Sequence, residues 1–240
     1  MQFPLFTPPT EWVMPDGYPD LSGAREVAID LETKDPNLTS LGSGWPRKDG
    51  HIIGVAVAVE GEAWYFPIRH DNGGNFDDKQ TLRWLTDVCS VERDYIMHNA
   101  MYDLGWLSAE NIEVKGRIID TMIVAALLDE NRFSYALNAL GRDYLNERKS
   151  EKDLYEAAAS FGVNAKSEMW KLPAHFVGAY AEQDAALTLK LWQHFKGLIV
   201  KEDIADIFDL ELKVLKVVFA MRKKGVRVDL GKAEELKEYL

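Results

Sequence analysis

Asp30 and Glu32 stand two residues apart in the run EVAIDLET. Side chains alternate faces along a strand, so on a strand both carboxylates project from the same side. The residues around them are apolar, and charge in such a setting is costly unless it binds something. The plain alternative is that the pair marks the exposed end of a strand, since Asp-x-Glu is a common dipeptide spacing. A third acid, Asp103, follows the short apolar run Tyr95–His98, with Asn99 between them. It falls in the first turn of a helix, where a carboxylate complements the helix dipole, but Leu104, Trp106 and Leu107 give it a buried neighbourhood. Tyr180 and Asp184 are four apart in YAEQDAALTLKLW, which puts both on one helix face. Leu187 and Leu191 carry that face into the core, although a lone acid above such a stripe is often only a solvated residue.

These acids need elements to hold them. The apolar run 26–31 suits a buried strand, and HIIGVAVAV (51–59) a β-branched one. Gly61 signals a turn into AWYFPI (63–68), the hairpin partner of 51–59. Helical spacing follows over 77–88, then a short strand at 95–98, a helix over 101–110, a short strand at 118–120 and a helix over 121–128. Leu137, Leu140, Tyr144 and Leu145 form a further helical stripe, 154–159 another short helical piece, and Phe176–Phe195 a long helix opened by Pro173. The order predicts an α/β fold, a mixed sheet with helices on both faces. Pro4, Pro8, Pro9, Trp12, Pro15 and Pro19 make the start an irregular lead-in. Lys34–Gly50, with Pro36, Gly42, Gly44, Pro46 and Gly50, reads as a long loop. A helix over 204–221 ends in Lys223, Lys224 and Gly225; an extended stretch at 226–228 and a further helix from Gly231 follow, an ending that reads as a fragment of something longer.

Composition narrows the class. With 240 residues, 47% of them hydrophobic and 28% charged, the chain has room for one globular domain and the start of a second. Cys89 is the sole cysteine, so no intramolecular disulfide forms and a reducing cytoplasm is the expected compartment. Met1–Tyr18 lacks the pattern of a signal peptide, and no apolar stretch reaches the roughly 20 residues of a membrane helix. A net charge of −11 speaks against a basic duplex-binding face. It does not exclude nucleic acid at a carboxylate site that fills with divalent cations, because bound cations reverse the local field.

In this order, DLET (30–33), HNAMYD (98–103) and YAEQD (180–184) resemble the motifs of the DnaQ-like 3′→5′ exonucleases, the DEDD superfamily in its tyrosine-bearing form. The sequence is most similar to the proofreading domain of family A DNA polymerases of the bacterial polymerase I and phage type. The stretch IDTMIVAALLDEN adds to the likeness, which covers Glu26–Phe195. LELKVLKVVFAMRKKGVRVD (210–229) resembles the segment that leads those polymerases into their thumb. The loop 34–50, carrying Trp45, Arg47 and Lys48, departs from the pattern.

The resemblance implies an RNase H-like mixed five-stranded sheet flanked by helices. It divides the chain into an extension (1–22), the exonuclease (23–200) and the start of a polymerase thumb (201–240). It further implies hydrolysis of DNA from its 3′ end with two divalent cations about 3.5–4 Å apart. The hard oxygen ligands suit Mg²⁺ or Mn²⁺, and no Cys/His cluster suits zinc. Asp30, Glu32, Asp103 and Asp184 are the implied metal ligands, with Tyr180 orienting the water. Thr33, Asn99 and Tyr102 are the implied contacts of a single-stranded or frayed 3′ end, and Asp120 matches a family position with a structural role open to it. The implied partners are that DNA end and a polymerase domain in cis. Two other readings stand beside it: an RNase D-like exoribonuclease with the same acids and tyrosine, and a non-catalytic module that binds DNA or braces a polymerase.

Overall fold

The computed structural model describes residues 10–240; Pro4, Pro8 and Pro9 of the expected lead-in lie outside the described residues. Five strands form one sheet: β1 (Glu26–Lys34), β2 (His51–Val59), β3 (Glu62–Pro67), β4 (Asp94–Met97) and β5 (Arg117–Asp120). Their spatial order is β3-β2-β1-β4-β5, with β1, β2 and β3 antiparallel and the β1–β4 and β4–β5 pairs parallel. This is the expected mixed α/β sheet. Gly61, at φ +84°, closes the tight turn between β2 and β3. Helix α1 (Leu38–Leu41) is a single turn. Helices α2 (Asp78–Cys89) and α3 (Ala100–Ala109) make the crossovers into and out of β4, and α4 (Thr121–Leu128) follows β5 directly. Helices α5 (Leu137–Leu145), α6 (Lys152–Phe161) and α7 (Gly178–Lys201) come next, then α8 (Ala205–Lys224) and α9 (Leu230–Tyr239).

Strand alternation sorts the core into two layers. Val27, Ile29 and Leu31 of β1, with Tyr95 and Met97 of β4, pack on the side of Leu85, Leu104 and Leu107 from α2 and α3. Ala28, Ala56, Ala58 and Ile96 face the opposite side, against Ala181, Ala185 and Leu189 of α7. Alanine on both surfaces lets the α7 backbone approach the sheet closely. Asp30 and Glu32 follow Ala28 on the period of two, so they belong to the α7 side.

The structure extends or corrects several expectations. Strand β1 runs on to Lys34, with an irregularity in pairing between Glu32 and Thr33. The loop 34–50 is not structureless: it holds α1 and a 3₁₀ turn at Trp45–Arg47. Hydrogen bonds tie it together, from Asn37 to Asp49 (2.7 Å) and from Arg47 to the carbonyls of Leu41 (2.9 Å) and Gly42 (3.0 Å). Trp45 is 5% exposed, wedged against α3 at Gly105 and 5.7 Å from the ring of Phe219 on α8. Phe176 lies in a 3₁₀ turn, and the long helix begins at Gly178. Sequence periodicity cannot separate a 3₁₀ turn from the α-helix it precedes. Within the lead-in, Trp12 sits over Gly178, Tyr18 stacks 5.1 Å from Trp84 and Leu21 is buried, so this irregular stretch is anchored at those three residues. Helix α8 buries Phe208, Leu212 and Leu215 and ends at Gly225 (φ +70°) after three basic residues. Residues 226–228, expected to be extended, pair with no strand.

A Cβ placed on Gly105 would lie 2.2 Å from the Trp45 indole nitrogen. Glycine to alanine inside a helix ordinarily gains about 0.5–1 kcal/mol, whereas overpacking costs about 1–3 kcal/mol. Gly105→Ala is therefore expected to lower the urea midpoint. Gly197→Ala, on α7 with nothing near its Cβ, is expected to raise it.

Candidate active site

Five residues of one turn-and-a-half of α7 each have a separate task. Ala181 is buried against the sheet. The Glu182 carboxylate accepts from the Trp12 indole N–H (2.8 Å) and the Tyr65 backbone N–H (3.0 Å), fixing the lead-in and β3 to the helix. Gln183 accepts from the backbone N–H of Ser150 (3.0 Å), which secures the segment after α5. Tyr180 and Asp184 face the C-terminal half of β1. There Asp30, Glu32 and Asp184 offer carboxylate oxygens that all lie within 4.8 Å of one another.

Burial pushes every acid of this group upward, and repulsion from neighbouring carboxylates adds to it at Asp30 and Glu32. The Asp30 carboxyl rises to about 7, chiefly through desolvation and then through Asp184. Desolvation and the charges of Asp30 and Asp184 raise Glu32 well above the usual carboxylate range, and desolvation also raises Asp184. Asp103 does not join the trio. Buried at 4% exposure, it accepts from the backbone N–H of Leu31 at 3.1 Å, between the two acids of β1. It thus bonds the strand and not the first turn of its own helix; desolvation and the charge of Asp30 raise its carboxyl.

Two lysines that the sequence reading did not single out meet this group. Lys149, its side chain 4% exposed, forms an ion pair with Asp184, and its ammonium lies 4.1 Å from the Tyr180 ring centroid. Lys166 donates to the Tyr180 hydroxyl at 2.9 Å and to Glu151 at 2.7 Å. Their signal in sequence is faint, because lysines in a polar connecting segment look like solvated ones. The donor set fits a divalent cation: hard oxygens held close together, with a lysine ammonium already seated against them as a stand-in positive charge.

Of the other expected residues, Thr33 and Tyr102 come together, hydroxyl to hydroxyl, at 2.6 Å. Tyr102 also donates to Asp35 at 3.2 Å. Asn99 adopts a left-handed conformation (φ +65°) at the N-terminus of α3, and its side chain makes no capping bond. Asp120 lies outside the carboxylate group: it accepts from the N–H groups of Asn99 (3.0 Å), Ala100 (2.8 Å) and Met122 (2.9 Å), bracing the starts of α3 and α4.

The 3′-5′ exonuclease family of DNA polymerase A matches residues 16–199. The chain belongs to that family. It is 36% identical over its whole length to a DNA-directed DNA polymerase of Pseudomonas phage M6, of which it spans 37%. Among solved structures, the polymerase domain of Pol1 from M. smegmatis in complex with DNA primer-template and dNTP aligns with a TM-score of 0.64 at 15% identity, covering 91% of this chain and 32% of that one. Brucella melitensis NrnC with bound Mg²⁺ aligns at 0.61 and 17%, covering 87% and 90%. At such identities the two structures show the shared fold, the RNase H-like exonuclease arrangement expected from the motifs. The carboxylate group described above thus lies in a 3′-5′ exonuclease domain. Among the described residues, no helix is long and apolar enough to cross a membrane.

Two expectations follow for the metal-free exonuclease domain. Removing one partner of a buried ion pair costs about 3–5 kcal/mol, so Lys149→Met is expected to lower Tm in chelator, with Mn²⁺ restoring part of the loss. All four carboxyls are raised, so between the unfolded carboxylate pKa and about 7 the folded state binds more protons than the unfolded one. In chelator, their contribution to stability therefore falls as pH rises from about 5 to 8. Melting curves at the two ends of that window, with chelator and with Mg²⁺, check the sign.

Proposed function

We propose that this domain removes nucleotides from the 3′ end of single-stranded or frayed DNA, as the proofreading nuclease of a polymerase. The observation that carries the reading is the convergence of Asp30, Glu32 and Asp184 on one site, with Tyr180 beside them, in a chain of this family. Asp30, Glu32 and Asp184 would hold one Mg²⁺ or Mn²⁺, and Asp30 with Asp103 a second. Bound there, the cations would supply an activated water and offset charge on the leaving 3′ oxygen. Asp103 holds β1 through the Leu31 N–H, which keeps the two strand acids in place. Tyr180 orients the water through its hydroxyl. Desolvation and the surrounding carboxylates raise that hydroxyl further from neutrality, so it acts as a hydrogen-bonding group and not as the base. Thr33, Tyr102 and Asn99 would receive the terminal nucleotides, their groups suited to backbone and base-edge contacts without a sequence code.

The phage relative is a DNA polymerase of which the chain spans just over a third, and this supports a polymerase domain in cis. On this reading residues 23–200 are the nuclease, residues 1–22 an N-terminal extension to it, and residues 201–240 the entry to the thumb. The compartment would be the cytoplasm of a bacterial or phage-infected cell.

The test is a 5′-labelled single-stranded DNA incubated with the chain in Mg²⁺, Mn²⁺ or chelator, beside a ribo-oligonucleotide of the same sequence. A metal-dependent ladder that shortens from the 3′ end, faster on DNA, is expected. Asp30→Ala and Asp184→Ala are each expected to abolish it, and Tyr180→Phe to slow it by about a hundredfold, at the low end for loss of one group that positions a proton. Near-normal cleavage by either Asp variant would overturn the metal-site assignment. Preference for the ribo-oligonucleotide would transfer the activity to RNA.

A further inference from the structure

We infer that Lys166 is a positioning residue for Tyr180: it holds the tyrosine hydroxyl oxygen from outside, so that the hydroxyl proton points inward to Asp184 and the reacting water. The inference rests on the exonuclease reading above. Lys166 donates to the Tyr180 hydroxyl at 2.9 Å, and its ammonium lies 4.1 Å from the centroid of the same ring. An ammonium has three donors and no acceptor, so toward Lys166 the hydroxyl can only accept. On the other side stands Asp184, one helical turn further along the same face of α7, and an ionised carboxylate can only accept. Between a pure donor and a pure acceptor, the hydroxyl has one sense: oxygen to Lys166, proton to the site.

Lys166 is itself held. Its ammonium pairs with Glu151 at 2.7 Å, and its backbone N–H donates to the Asn164 side chain at 3.0 Å. Asn164 also receives the N–H of Ser167 (2.9 Å), and its own N–H donates to Glu168 (2.9 Å). This turn sets the lysine over the tyrosine through connections that do not involve the sheet. Side-chain exposure of 43% for Lys166 and 26% for Glu151 makes their ion pair a small contributor to stability. Its effect therefore falls on the hydroxyl and not on the fold.

The test is steady-state hydrolysis of 5′-labelled single-stranded DNA in Mg²⁺ by the wild-type chain, Lys166→Met, Lys166→Arg, Tyr180→Phe and the Lys166→Met/Tyr180→Phe double variant. Lys166→Met is expected to lower kcat by about five- to tenfold, no more than Tyr180→Phe does, with KM within about twofold and Tm unchanged. Lys166→Arg, which keeps the donor, is expected to recover most of kcat. In the Tyr180→Phe background, Lys166→Met is expected to change nothing further. An equal loss in both backgrounds, or a loss confined to KM, would show that Lys166 acts on the nucleic acid directly and would overturn the inference; so would no loss at all. A second readout is independent of turnover: the ¹³Cζ resonance of Tyr180, assigned with Tyr180→Phe, is expected to move in Lys166→Met and to return in Lys166→Arg. If the wild-type chain cleaves nothing, the proposed function fails. An unmoved resonance overturns the positioning of Tyr180 whatever the chain cleaves.

Discussion

Like charges do not gather in a dry place without something to hold them there. Carboxylate oxygens of Asp30, Glu32 and Asp184 lie within 4.8 Å of one another, with Asp103 hydrogen-bonded to the strand between the first two. Desolvation and mutual repulsion both oppose this arrangement, as the raised carboxyls record. It persists because α7 is fastened to the sheet by contacts that outweigh the repulsion. Alanines on the two facing surfaces let the helix lie close, and Leu187, Leu191 and Phe195 bury themselves along it. The hydrophobic layer thus supplies the stability that the charged site consumes.

The same helix distributes further tasks along its first turns. Glu182 draws the lead-in and β3 toward it, and Gln183 draws in the segment that carries Lys149. Lys149 then places a positive charge beside Asp184, which offsets part of the carboxylate repulsion before any cation arrives. A site that must be strongly negative to capture divalent cations is in this way kept foldable in their absence. The overall charge of −11 is consistent with such a design, since the local field matters at the reacting phosphate and the global field governs the approach of the nucleic acid.

Across the sheet, the loop 34–50 links the site to the rest of the domain. Asp35 accepts from Tyr102, which meets Thr33, while ten residues further on Trp45 is pinned between Gly105 and Phe219. The end of β1, the start of α3 and α8 are therefore joined through one compact excursion of the chain. Its high glycine and proline content, which makes it look like slack in the sequence, is what lets the backbone fold tightly there: Gly50 takes φ +134° with no room for a Cβ beside the Lys34 carbonyl.

Much of the fold was legible because its signals are local. Strand β2 declared itself by its β-branched run, β3 by the turn signal at Gly61, helix α2 by its helical spacing, and the pairing of Asp30 with Glu32 by the strand period alone. Motif order placed the chain in its family, since residue types at fixed spacings are sequence properties. What the sequence left open depends on distances between residues remote in the chain. That Asp103 bonds the Leu31 N–H and not its own helix, that Asp120 braces two helix starts, and that Trp45 is a wedge are all consequences of how α3 and α8 meet the sheet. Lys149 and Lys166 show the limit most plainly. In the sequence they are two of 28 basic residues, with no periodicity to mark them. Only when α7 lies on the sheet do the segments before and after α6 fall beside Tyr180 and Asp184, because electrostatic partnership is set by proximity in space, which local sequence does not encode.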